Sequence, residues 1–340
     1  MKSRREFIQK TASITAFSLF SNWTWADPGQ DKLGKILPTR QLIRNGEKTT
    51  AFCLGGYHLG FVEDTKQVER MVEKSIELGV RFFDNARGYN RGRSEEYMGR
   101  FLTPKYREQI FLMTKSPAKS GPDVRKQLEE SLKALNTDYL DLWQIHNFTT
   151  PEDVDRRIND GVLDVFLEAK EKGTARYIGF TGHRNPKTHL YFLDWLEKRG
   201  IELDTCQMPL NILDPSFESF QKSVLPVLLD RKYGIIAMKT MSGGSMMGNR
   251  IDLTPKEIET SQIPDVAGKA GISMAQLHQY VYSLPVSSLC SGCLTVDQIE
   301  HNVGVLQNLK KLSKKDMQTL IDKGKPYAGY IVENYKRVMS

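Results

Sequence analysis

The chain is poor in the residues that several protein classes depend on. Four cysteines in 340 residues cannot supply the disulfide framework that staples small secreted domains. Cys53 and Cys206 stand alone, and Cys290 and Cys293 have CxxC spacing but no second pair follows them, so no metal site is expected. Long hydrophobic runs are also missing: Ile14 to Phe20 falls short of the roughly 20 apolar residues of a membrane-spanning helix, and no later stretch reaches that length. Charge of one sign is not in large excess. Against 48 Lys+Arg stand 41 Asp+Glu, and the first 26 residues hold four of the bases (Lys2, Arg4, Arg5, Lys10) and one acid (Glu6). The remaining surplus of +4 is spread over mixed-sign segments such as Lys66 to Glu77, so nucleic acid is not an expected partner. What is present, 39% hydrophobic residues and 26 glycines, is enough for a large core and excludes a disordered or low-complexity chain.

The N-terminal segment reads as an address. A basic head, Ser3-Arg4-Arg5-Glu6-Phe7, is followed by the short apolar stretch and then by Thr24-Trp25-Ala26 before Asp27. That order describes an export leader cleaved near Ala26, and the paired arginines before Phe7 resemble the twin-arginine type. The expectation is a leader over residues 1–26, passage through the twin-arginine translocase, a periplasmic or otherwise exported location, and one domain over 27–340. The resemblance implies export in the folded state, so a nucleotide-dependent enzyme would leave with its nucleotide bound.

Short apolar, β-branched or aromatic runs recur through the rest at Ala51–Leu54, Val80–Phe83, Ile110–Thr114, Leu140–Ile145, Ala175–Phe180, Thr205–Met208, Gly234–Met238 and Ser287–Cys290. Amphipathic segments separate them: Val68, Met71, Val72 and Ile76 share one face, and Val124, Leu128, Leu132 and Leu135 another. Strands alternating with helices every 30 residues or so fit a (β/α)8 TIM barrel, with an open doubly wound sheet as the structural competitor. Asn45-Gly46 between Arg40–Ile43 and Thr49–Phe52 is a hairpin signal, placed to plug the barrel bottom. The longer gap before the eighth strand begins with Ser242-Gly243-Gly244-Ser245, a flexible loop for the catalytic rim.

In such a barrel, chemistry collects where strands end. The second strand runs into Asp84 with Tyr89 five residues on, the third into Lys115, and the fourth into His146. Together they suit carbonyl reduction. An oxygen receiving a hydride becomes an alkoxide and needs a proton from a placed donor; a tyrosine, with its ordinary pKa of about 10, gives up a proton more readily beside an ammonium. Asp84 can hold Lys115 charged, and His146 can hydrogen-bond the oxygen where negative charge develops. The runs Phe83-Asp84-Asn85-Ala86-Arg87-Gly88-Tyr89, Met113-Thr114-Lys115 and Gln144-Ile145-His146 resemble the Asp/Tyr/Lys/His tetrad of the aldo-keto reductases, flanked by the similar segments Arg93 to Gly99 and Asp138 to Leu142. The resemblance implies a monomeric or weakly oligomeric barrel that binds NADP or NAD without a metal and acts on a small carbonyl or alcohol substrate.

On the cofactor side it implies Thr181 and Gln207 for the nicotinamide amide, Met238 near its ring, and Lys239 with Gly243 near the pyrophosphate. Ser291, Gly292, Gln298 and Asn302 would form the phosphate and adenine clamp. Gly182 departs from the family's Ser-Asn pair, and Leu294, Thr295 and Gln298 stand where a Lys or Arg usually meets the 2'-phosphate, which leaves NAD open. Tyr57, His58, Phe61 and Phe148 are the expected substrate rim, and the three tyrosines of Tyr327 to Tyr335 are expected over the mouth. Two other classes share parts of the pattern: a nucleotide-binding regulatory module like the channel-associated β subunits, without turnover, and a metal-dependent barrel lyase using Asp84 and His146.

Overall fold

The computed structural model describes residues 29–44, 46–251, 253, 256 and 262–337; the leader expected over 1–26 and Asn45 of the hairpin turn lie outside them. Eight parallel strands close into a barrel: β1 (Phe52–Gly55), β2 (Phe82–Asp84), β3 (Phe111–Ser116), β4 (Leu140–Ile145), β5 (Ala175–Thr181), β6 (Thr205–Pro209), β7 (Gly234–Met238) and β8 (Ser288–Gly292). Each pairs with its sequence neighbours. β8 closes on β1 with Cys290 opposite Cys53 and Gly292 opposite Gly55, which eliminates the open sheet.

Strand bounds fall within two residues of the expected ones. At β2 the shift has a local cause: Gly79 turns at φ +89°, and the buried Arg81 guanidinium donates to the carbonyls of Ile76 and Val80. Val80 and Arg81 therefore seal the preceding helix instead of joining the strand. The helices start where side chains accept from orphan backbone N–H groups: Asp64 caps Thr65–Glu77, Ser120 caps Gly121–Ala134 and Thr295 caps Val296–Gln307. Val68, Met71, Val72 and Ile76 are all buried, as their spacing requires. Among the described residues no helix is long and apolar enough to cross a membrane.

The hairpin pairs Thr39–Gln41 with Lys48–Thr50. Leu42 and Ile43 beyond it enter a barrel-interior cluster with Cys53, Phe82, Phe111, Met113, Leu142 and Ile236. Burying two such side chains contributes about 1.5–3 kcal/mol each. Gly234 admits the plug, since a β-carbon there would lie 2.0 Å from the Leu42 carbonyl oxygen. Buried Arg40 donates to the carbonyls of Tyr282, Leu284 and Val286, locking the hairpin to the entry of β8. With the bottom filled, the opening lies at the C-terminal strand ends.

Candidate active site

Asp84 is the last residue of β2, Lys115 lies near the end of β3 and His146 directly follows β4. Tyr89 opens a 3-10 turn, Tyr89–Gly92. The loop before it lies along β3, with Arg87 N donating to the Lys115 carbonyl at 3.0 Å and Tyr89 N to Ala86 at 3.0 Å. Asn90 and Arg91 have left-handed backbone (φ +50° and +59°), a strain offset in part by the Asn90 side chain donating to the Tyr57 carbonyl at 2.8 Å. That bond ties the loop after β1 to the loop after β2.

Lys115 is 1% exposed and Asp84 3%. The ammonium pairs with Asp84 Oδ1 and donates to the Asn85 carbonyl at 2.7 Å and to the Tyr89 hydroxyl at 3.2 Å. Three donors meet three acceptors, so a buried charge that would otherwise be very costly is fully satisfied. Burial is the largest influence on Lys115 and opposes its charge, but Asp84, Tyr89 and Cys290 together outweigh it and hold this lysine above the ordinary lysine range. Burial drives the Tyr89 phenol well above its usual value, with Lys115 pulling the other way. Burial, then the Lys115 charge, keeps His146 neutral, far below an ordinary histidine. The His146 and Tyr89 rings meet edge-on at 5.7 Å. The arrangement presents a protonated phenol backed by a fixed cation beside a neutral imidazole.

Thr181, the last residue of β5, is the cross-strand neighbour of Gln207 in the middle of β6, and both are 1% exposed. Gln207 Nε2 is 3.5 Å from Asp84 Oδ2, while its Oε1 is buried without a hydrogen bond among the described residues. Gly182 has a physical reason: a β-carbon there would lie 2.7 Å from His189 Cε1 and 2.9 Å from the Phe148 carbonyl oxygen, so the buried His189 fills the space an asparagine would need. Met238 and Lys239 are half-buried at the end of β7, and Lys239 Nζ stands 6.0 Å from the Tyr57 ring centre. Gly243 (φ +65°) leaves open space where a β-carbon would be.

At β8 the two CxxC thiols take different partners. Cys293 receives a bond from Asn302 Nδ2 at 3.3 Å, which also reaches Ser291 Oγ at 3.4 Å; Cys290 donates to Asp84 Oδ2 at 3.2 Å. Gln298 accepts from Leu294 N at 2.7 Å and thereby shapes the loop into the helix Val296–Gln307.

Two members of the expected substrate rim are placed differently. Phe148 is 2% exposed and packs on Phe192 at 4.7 Å, because Asn147 turns at φ +62° and carries the next residue into the barrel wall. His58 lies over the β8 loop, where a Gly292 β-carbon would come within 1.9 Å of its Nδ1. It covers the expected phosphate loop instead of the mouth. Tyr57 does border the tetrad, 5.2 Å from the Tyr89 ring, and Phe61 packs behind it at 5.3 Å. The C-terminal segment crosses the rim at β5 to β7. His183 Nδ1 donates to the Tyr335 carbonyl at 2.9 Å, the Tyr335 hydroxyl accepts from Asn211 at 2.9 Å, and Asn211 also donates to the Lys239 carbonyl at 3.0 Å.

Sequence reasoning assigned no role to Glu95, His183 or Cys290. Glu95 is fully buried, accepts from Thr114 Oγ1 at 2.6 Å and faces Arg87 at 3.6 Å, bracing the strand that carries Lys115. Its position in the segment after Tyr89 was the available signal.

A closed parallel barrel with a phenol, an ammonium, a carboxylate and an imidazole at its C-terminal rim defines a class of barrel oxidoreductases. The aldo/keto reductase family model matches residues 51–324, and the chain belongs to that family: it is an NAD(P)-dependent oxidoreductase. It is 28% identical over 305 residues to the uncharacterized oxidoreductase YrpG of Bacillus subtilis, covering 78% of this chain and 90% of that one. It is 24% identical over 312 residues to the L-glyceraldehyde 3-phosphate reductase of Escherichia coli O157:H7, covering 78% and 86%. The holo form of aldo-keto reductase AKR11C1 from Bacillus halodurans shares the fold, with a TM-score of 0.67 at 21% identity over 88% of this chain and 99% of that one.

Proposed function

We propose that this protein is an exported reductase of a small carbonyl compound, with Tyr89 as the acid that protonates the carbonyl oxygen. The observation that carries the reading is the Lys115 ammonium shared among Asp84, the Asn85 carbonyl and the Tyr89 hydroxyl. The residues fit a nicotinamide nucleotide. Gln207 Oε1 is a buried acceptor in need of a donor, as an amide N–H would be, and Thr181 lies beside it. Met238 is assigned to the ring, Lys239 and His58 to the pyrophosphate, and the loop Ser291–Gly292 with Gln298 and Asn302 to the adenosine end. When bound, the nicotinamide supplies the hydride.

The chain's own residues do the rest. His146, neutral, donates a hydrogen bond to the substrate oxygen and fixes its direction. Tyr89 gives its proton to that oxygen, and the phenolate left behind is stabilised by the Lys115 charge, which Asp84 holds in place. In alcohol oxidation the same groups run in reverse. Asp297 in the first turn of Val296–Gln307, with no Lys or Arg between Cys293 and Ile299, favours NAD, because a 2'-phosphate there meets repulsion instead of a cation. Tyr57, edge-on to the Tyr89 ring at 5.2 Å, suits a small hydroxylated carbonyl.

Replacement of Tyr89 by Phe tests the assignment. Loss of the placed acid is expected to lower kcat for carbonyl reduction by about 10²–10⁴-fold while the dissociation constant for the nucleotide, measured by fluorescence titration, changes less than about twofold. A Tyr89→Phe enzyme of undiminished kcat overturns the reading.

A further inference from the structure

We propose that Cys290 is a positioning residue, whose thiol holds the Asp84 carboxylate in the orientation that serves Lys115. The proposal rests on the reading of the tetrad above and extends it to a strand, β8, that contributes none of the four groups.

A carboxylate facing one ammonium is free to rotate unless its second oxygen is also held. Asp84 Oδ1 is engaged by Lys115. Oδ2 receives the Cys290 thiol at 3.2 Å and Gln207 Nε2 at 3.5 Å. The amide distance is at the limit of a hydrogen bond, whereas the larger sulfur atom comes closer, at 3.2 Å. Cys290 is therefore the principal donor to the second Asp84 oxygen. The barrel arranges this by closure: Cys290 stands opposite Cys53 across the β1–β8 pair, which places its thiol beside the end of β2. Gly55 leaves the room, since a β-carbon there would lie 3.2 Å from Cys290 Sγ. Both thiols are held above their ordinary values: Cys53 chiefly by burial, and Cys290 because burial and the Asp84 charge together outweigh the opposing influence of the neighbouring Cys53. They thus stay protonated, as donors must.

A donor on Oδ2 drains negative potential from the site. Without it the Tyr89 phenolate is less stable, so alcohol oxidation, which needs that phenolate, requires higher pH. Cys290→Ala is expected to lower oxidative kcat/KM at neutral pH by about fivefold, the loss of one weak hydrogen bond, and to move the rising limb of the pH profile upward. Cys290→Ser, which keeps a donor, is expected to restore both. Independently of turnover, the infrared S–H stretching band lost in Cys290→Ser is expected at lower frequency than that lost in Cys206→Ser, whose thiol sits in the apolar core. Coincident bands remove the hydrogen bond and overturn the proposal. A shifted band with an unmoved pH limb, or equal losses in the Ala and Ser variants, overturns the positioning role. Undiminished turnover in Tyr89→Phe fails the reading of the tetrad without altering the infrared comparison, so the two failures are distinguishable.

Discussion

At the scale of single residues, the site is governed by burial working against one fixed charge. Tyr89 and His146 sit in the same mouth as Lys115, and each is held in its neutral form, the phenol raised and the imidazole lowered. The signs set a pH dependence. A group whose value is depressed by the fold stays neutral until the pH falls below that depressed value, so His146 does not charge in the ordinary histidine range near 6.5. A phenol whose value is raised stays protonated through and beyond neutrality. Reductive kcat/KM is therefore expected to be flat from about pH 5.5 to 8, with no inflection near 6.5, in a steady-state pH profile under saturating nucleotide. A pronounced inflection there that disappears in His146→Gln would mean that His146 titrates as an ordinary histidine.

At the scale of elements, the loops after the strands fix what each strand end can present. The turn after β5 shows this most sharply. Thr181 remains beside Gln207, but Gly182 has no room for a side chain because His189 and the Phe148 carbonyl crowd its β-carbon position at 2.7 and 2.9 Å. The helix Pro186–Glu197 brings His189 there, and Phe148 packs against Phe192 of the same helix. Restoring the family asparagine by Gly182→Asn is thus expected to overpack this corner, destabilising the fold by about 1–3 kcal/mol, as measured by denaturant unfolding. Pairing it with His189→Ala is expected to recover part of that loss. A Gly182→Asn protein as stable as the parent would show that the corner yields.

At the scale of the whole molecule, the barrel is closed at the bottom by the hairpin plug and Arg40, and at the top the C-terminal segment is anchored by a fully buried cluster. Lys336 Nζ pairs with Asp214 at 3.0 Å and Glu333 at 2.7 Å, so the segment 328–337 is fixed across the β5–β7 rim. The proposed twin-arginine route would require this barrel to be folded, with its nucleotide in place, before export. The double substitution R4K/R5K is expected to leave the protein in the cytoplasm at precursor mass, followed by cell fractionation and mass spectrometry. Wild-type protein from the exported fraction is expected to release nucleotide on denaturation. Unchanged export of R4K/R5K counts against the route.

The order of elements and the four ionisable groups were legible along the chain because both are local. Strand-forming runs are contiguous, and Asp84, Lys115 and His146 stand where apolar runs give way to loops. The competitor fold, an open sheet with the same alternation, was excluded only by the pairing of β8 with β1, a contact between segments more than 200 residues apart. Two other unforeseen features share that origin: His58 meets Gly292, and Cys290 meets Asp84 across 206 positions. His189, only seven positions on, fills the space beside Gly182 because of how the helix Pro186–Glu197 packs on the barrel. A sequence sets which residues end a strand through backbone preference and apolar periodicity, whereas which side chains then face one another depends on barrel closure and on the packing of helices around it, and neither is written at any one position.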